Sequence, residues 1–76
     1  MNPELLGMSN EELIQWAVQH GAVDERELRK VYDDIELFCA QNPIGIGTFM
    51  EQLVKLSNMG MRLKNAIHYV REHVGE

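Results

Sequence analysis

The sequence predicts an all-α fold: a small bundle in which a short helical hairpin packs on a long C-terminal helix. Three observations carry this reading. Ser9 with Glu12, Asp24 with Glu27, and Thr48 with Glu51 each match the capping box, in which an N-cap side chain and the acid three residues later satisfy each other's backbone N–H groups. Behind each box, apolar residues recur at intervals of three and four, the spacing of one helical face. Gly21 and the pair Asn42-Pro43 fall between the periodic segments, where helices are expected to stop.

The first helix is predicted over 10–20, burying Leu13, Ile14, Ala17 and Trp16, with Met8 and Leu13 as a hydrophobic staple. Gly21 follows its end, where a left-handed residue is commonly needed. The second helix is predicted over 24–41, with Val23 and Leu28 as its staple and a core face of Leu28, Val31, Tyr32, Ile35, Phe38 and Cys39. The short connection between them makes the pair a hairpin or a sharp corner. Pro43 ends the second helix because it restricts Asn42 and cannot donate to the helical ladder.

The third helix is predicted over 48–74. Phe49, Leu53, Leu56, Gly60, Leu63, Ile67, Val70 and Val74 step by 4, 3, 4, 3, 4, 3 and 4, a heptad seam. The seam passes through Ser57-Asn58-Met59-Gly60, which has the composition of a turn, so two readings stand: one helix about 40 Å long, or two helices meeting near Gly60. The unbroken phase favours the single helix, kinked at Gly60, because a glycine inside a helix costs only about 1 kcal/mol.

At 76 residues, with 7 basic and 12 acidic side chains and a net charge of −5, the chain is expected to be one domain spanning residues 1–76. With 45% hydrophobic and 25% charged residues it is too apolar for intrinsic disorder. Residues 1–47 carry three basic and nine acidic groups, and residues 48–76 four and three, so an acidic half precedes a mildly basic one. Cys39 is the single cysteine, which points to a fold without crosslinks and a reducing, cytoplasmic setting. The first six residues show no leader pattern, and no apolar run approaches the roughly 20 residues of a membrane helix.

Few residues suggest chemistry. His20, His68, His73 and Cys39 are too scattered for a zinc site, so no metal and no cofactor is expected. No nucleophile has a base and an orienting acid beside it, and Asp33-Asp34 and Glu11-Glu12 point apart on a helix, so no catalytic residue is assigned and an enzyme is not expected. The loop Asn42-Pro43-Ile44-Gly45-Ile46-Gly47 lacks the lysine of a phosphate-binding loop, and Ile44 and Ile46 read as apolar plugs or a partner-facing knob.

The function expected is therefore binding: a small acidic, regulatory or adaptor module whose partner is another protein and which self-associates as a homodimer through its C-terminal helix. The expected contact residues are Met50, Val54, Met59, Met61, Leu63, Ile67, Val70, Val74, Ile44 and Ile46, combining the seam with a flexible methionine stripe. The alternative is a helix-turn-helix DNA-binding regulator using 61–73, with Arg62, Lys64, Asn65, His68 and Arg71 outward, though the negative net charge opposes nucleic acid. Met59 to Val70 is similar in pattern to the last helix of SAM interaction domains, and Glu12 to Trp16 to their first. The residues between match that family poorly, and no family is assigned.

Overall fold

The seam does not run on as one rod. In the computed structural model, which describes residues 7–74, it breaks after Asn58, giving α1 (Asn10–His20), α2 (Glu25–Gln41), α3 (Ile46–Asn58) and α4 (Leu63–Glu72). The result is an all-α bundle of four packed helices. Its extents of 25 × 25 × 22 Å leave no room for the 40 Å helix expected from the heptad phase. The N-terminal residues 1–6 lie outside the described segment.

The break has a local cause. Gly60 takes φ +98°, the left-handed region that side chains with a Cβ avoid. The Gly60 N–H donates to Ser57 O at 3.0 Å and the Met61 N–H to Leu56 O at 3.0 Å. These two bonds define a Schellman motif with Gly60 just beyond the helix end, and Met61 and Leu56 both lie half-buried against the core, as the motif favours. Gly60 is therefore a helix terminator and not the tolerated mid-helix glycine of the single-helix reading.

Of the three predicted boxes, the one at Ser9 forms in full and the one at Asp24 only by its N-cap half. Ser9 Oγ accepts from Glu12 N at 3.2 Å while Glu12 Oε1 accepts from Ser9 N at 3.1 Å, and Asp24 Oδ1 accepts from Glu27 N at 3.1 Å. Thr48 is not a cap: α3 starts two residues earlier, behind Gly45, without a side-chain cap. The earlier start places Ile46, half-buried, against the core.

Phe49, Leu13, Leu28, Ile35, Met50 and Leu53 form the fully buried centre, with Ala17, Tyr32, Val54, Leu63, Ala66 and Val70 around them. Of Trp16, Phe38 and Phe49, only Phe49 is fully enclosed. Phe38 is half-buried and meets Phe49 edge-on at 5.8 Å, and Trp16 is half-buried with its ring stacked on His20 at 5.0 Å. Gly21 also has a different role from the one expected. Its φ of −124° needs no glycine, but a Cβ there would lie 2.9 Å from Ser57 Oγ and 3.1 Å from Ala17 O. The residue is small because the end of α1 presses on α3, and Asn58 Nδ2 adds a bond of 2.9 Å to His20 O at the same crossing.

Two stability predictions follow from these glycines. Gly60→Ala is expected to lower unfolding free energy by about 1–2 kcal/mol in urea titration, because the Cβ strains the left-handed turn. Gly21→Ala is expected to cost about 1–3 kcal/mol by overpacking. In a Ser57→Ala background that cost is expected to fall by at least about 0.5 kcal/mol, since the nearest atom is gone; equal costs in both backgrounds would exclude this contact as the cause.

Candidate docking surface

Folding the seam at Gly60 determines which of the expected contact residues reach the surface. Met50, Val54, Leu63 and Val70 are buried at 0%, 7%, 7% and 6% exposure, so four of the ten belong to the core of the chain itself. Leu63 and Val70 were expected outward as part of a seam longer than its hairpin could cover, and Met50 and Val54 as a second stripe beside it; with α4 folded back on α3, all four are enclosed. Met61, Ile46, Ile44, Ile67 and Val74 are half-buried. Met59, at the tip of the turn, is 80% exposed, and Leu37 and Tyr69 join it as exposed large apolar side chains.

Two clefts flank α4. The larger, of about 750 Å³, lies between α2 and α4. Its apolar floor is Val31, Ile35, Leu63 and Ile67. Ile35 and Leu63 show only an edge, while Val31 and Ile67 are half-open. The rim is polar and exposed: Glu27, Lys30 and Asp34 come from α2, and Lys64, Asn65, His68 and Arg71 from α4. Arg71 is held in place by Phe38, whose ring centroid lies 5.0 Å from the guanidinium carbon, a cation–π contact joining the two helices. His68 Nε2 lies 3.1 Å from Glu72 Oε1 one turn along α4.

The cleft exists because α4 is connected to α3 through only residues 59–62 and packs most extensively there, while α2 meets only its flank. The smaller cleft, of about 440 Å³, is lined by Ile44, Thr48 and Gln52 on one side and Tyr69, Val70, His73 and Val74 on the other. Thus Leu63 and Ile67 fall in the first cleft, and Ile44, Val70 and Val74 in the second. Sequence reasoning missed the α2 wall, because Val31 and Ile35 read as ordinary core positions and only the position of α4 leaves their edge open. It also missed Tyr69, which lies beside the seam rather than on it.

The titratable groups with displaced pKa values serve the scaffold. Arg29 donates from Nη1 to Glu11 Oε2 at 3.0 Å and from Nε to Glu25 Oε2 at 2.9 Å, tying α1 to α2. The hydrogen bond from Arg29 holds the Glu11 carboxyl below the usual carboxylate range, and the same pairing raises the pKa of Arg29. Tyr32 is buried, and its hydroxyl donates to Asn10 Oδ1 at 2.9 Å, while Asn10 Nδ2 donates to Glu36 Oε2 at 2.7 Å. Burial, reinforced by the charge of Glu36, pushes the Tyr32 phenol up to about 12. Burial also raises the thiol of Cys39, which keeps it protonated and slow to react. None of these four groups lines either cleft.

Among the described residues, no group of three or more His, Cys, Asp or Glu side chains is placed to hold a metal ion. No helix there is long and apolar enough to cross a membrane. No family model matches the chain, and no curated protein or solved structure resembles it significantly.

The Arg29 pair has a defined pH signature. The folded-state pKa of Glu11 is lowered, so its contribution to stability is complete above the ordinary glutamate pKa and disappears as pH falls through the folded value. Side-chain carbon NMR is expected to show Glu11 titrating below an ordinary glutamate and returning to the usual range in Arg29→Gln. Between pH 6 and pH 3, at values chosen to bracket about 4.3, the parent chain should lose more stability than that variant.

Proposed function

We propose that this chain is a non-catalytic protein-interaction module, regulatory or adaptor in role, that docks a partner in the α2–α4 cleft. The observation that carries this is an apolar floor of Val31, Ile35, Leu63 and Ile67 bordered by exposed charges of both signs. Apolar floors between helices take amphipathic segments, with the rim selecting orientation and partner. Each wall of the cleft spans eight residues, from Glu27 to Asp34 and from Lys64 to Arg71, or about 10 Å and two helical turns. In this reading the C-terminal helix takes part through Leu63 and Ile67, the two seam residues that face α2. A cytoplasmic setting fits Cys39, an unpaired thiol whose raised pKa slows oxidation.

A second reading is favoured by one observation: α3, the turn at residues 59–62 and α4 have the order of a helix-turn-helix, with Arg62, Lys64, Asn65 and His68 exposed at the start of α4. The net charge of −5 and the carboxylates of Glu27 and Asp34 across the cleft oppose phosphate approach, so protein docking ranks first.

Both readings are testable with one set of variants. A photo-crosslinking side chain at position 30, on the cleft rim, is expected to give a discrete protein adduct in native extract that the same group at position 19 does not. Ile67→Asp should abolish it in a chain that remains helical by circular dichroism. Equal labelling from both positions would remove the docking reading. DNA binding predicts salt-sensitive retention of duplex DNA that Lys64→Gln weakens; no retention at an ionic strength of about 0.05 M removes it.

A further inference from the structure

We propose that the occupant of the α2–α4 cleft is a second copy of this chain, the two copies related by a two-fold axis running along the cleft. The proposal rests on the docking reading and names the partner.

The argument is charge complementarity under symmetry. One wall presents Glu27 and Asp34, with Lys30 between them; the other presents Lys64 and Arg71, with Asn65 and His68 between them. A two-fold axis in the interface plane and parallel to the cleft turns the second copy face to face with the first. It exchanges left and right, so α2 of each copy opposes α4 of the other, and does so twice. Carboxylates then meet ammonium and guanidinium groups on both sides, and the half-open Val31 and Ile67 of each copy close over the middle. An axis across the cleft would instead oppose α2 to α2 and α4 to α4, bringing like charges together, which costs affinity. The charge pattern therefore selects one of the two symmetric arrangements.

A foreign helix would have to carry both signs on the correct edges, whereas this chain carries them already. Arg71 is also positioned in advance, since the Phe38 ring holds its guanidinium before any partner arrives. The apolar floor is small, with Ile35 and Leu63 mostly enclosed by their own copy, which places the dimer at the weak end of specific association.

The test is a charge swap read by sedimentation equilibrium. The parent chain is expected to pass from monomer toward dimer between about 5 μM and 1 mM, with added salt shifting the transition upward. Reversal of the acidic wall by Glu27→Lys with Asp34→Lys, or of the basic wall by Lys64→Glu with Arg71→Glu, should each leave a monomer throughout. An equimolar mixture of the two variants should recover the dimer, because each reversed wall then meets its complement. If loss of the Phe38 contact unfolds the second variant, Lys64→Glu with Asn65→Glu replaces it. A parent chain that stays monomeric, variants that dimerise alone as the parent does, or a mixture that fails to associate overturns the proposal. A monomeric parent that still gives a cleft-specific adduct with a different protein overturns the self-pairing and leaves the docking reading standing. Failure of both assays removes both.

Discussion

Folding an apolar seam back on itself at Gly60 is what lets a short chain with a single cysteine enclose a core. The left-handed turn and its two hydrogen bonds bring Phe49, Met50 and Leu53 of α3 against the half of the bundle that holds Leu63, Ala66 and Val70 of α4. Laid out as one rod, the same residues would leave half their apolar surface to water or to another chain. Burial of that surface at about 25 cal/mol per Å² is the main favourable term available to so small a domain. The turn therefore trades one long helix for one self-contained core.

The first half of the chain is built on different terms. Its helices are stopped and started by polar groups: the Ser9 box, the Asp24 cap, and Asn42 Nδ2 donating to Phe38 O at 2.9 Å. Arg29 and the chain from Tyr32 through Asn10 to Glu36 then connect α1 and α2. Against this braced pair, α3 lies close enough at Gly21 to exclude a methyl group. The fourth helix is committed to α3 by the four-residue turn and meets α2 far less extensively than it meets α3. The cleft stays open where α2 and α4 meet only along one flank. Its two walls have opposite character because one comes from the acidic half of the sequence and the other from the basic half.

Local signals read without tertiary information were right where a single residue decides the backbone. The two caps at Ser9 and Asp24 each use one side-chain oxygen and neighbouring N–H groups, so residue identity is sufficient. The stop at Asn42-Pro43 is of the same kind. The core face of α2 was legible because Leu28, Tyr32 and Ile35 repeat at helical spacing. Thr48 and Gly21 were legible as special residues, but their roles were misassigned. Thr48 has cap chemistry and lies inside α3; Gly21 suits a left-handed cap and instead serves a close crossing. In both cases the deciding contact comes from elsewhere in the chain.

The sequence alone determined that the chain is helical, where α1 and α2 begin and end, and how charge divides between its halves, because these depend on side chains acting within a few residues of themselves. Only the tertiary structure decided whether the heptad seam faces outward or inward. The phase from Phe49 to Val74 is the same for a continuous helix and for two helices folded against each other, so periodicity carries no information on the choice. The left-handed geometry at Gly60 makes it, and with it Met50, Val54, Leu63 and Val70 pass from candidate contacts to core while the edge of α2 is left open.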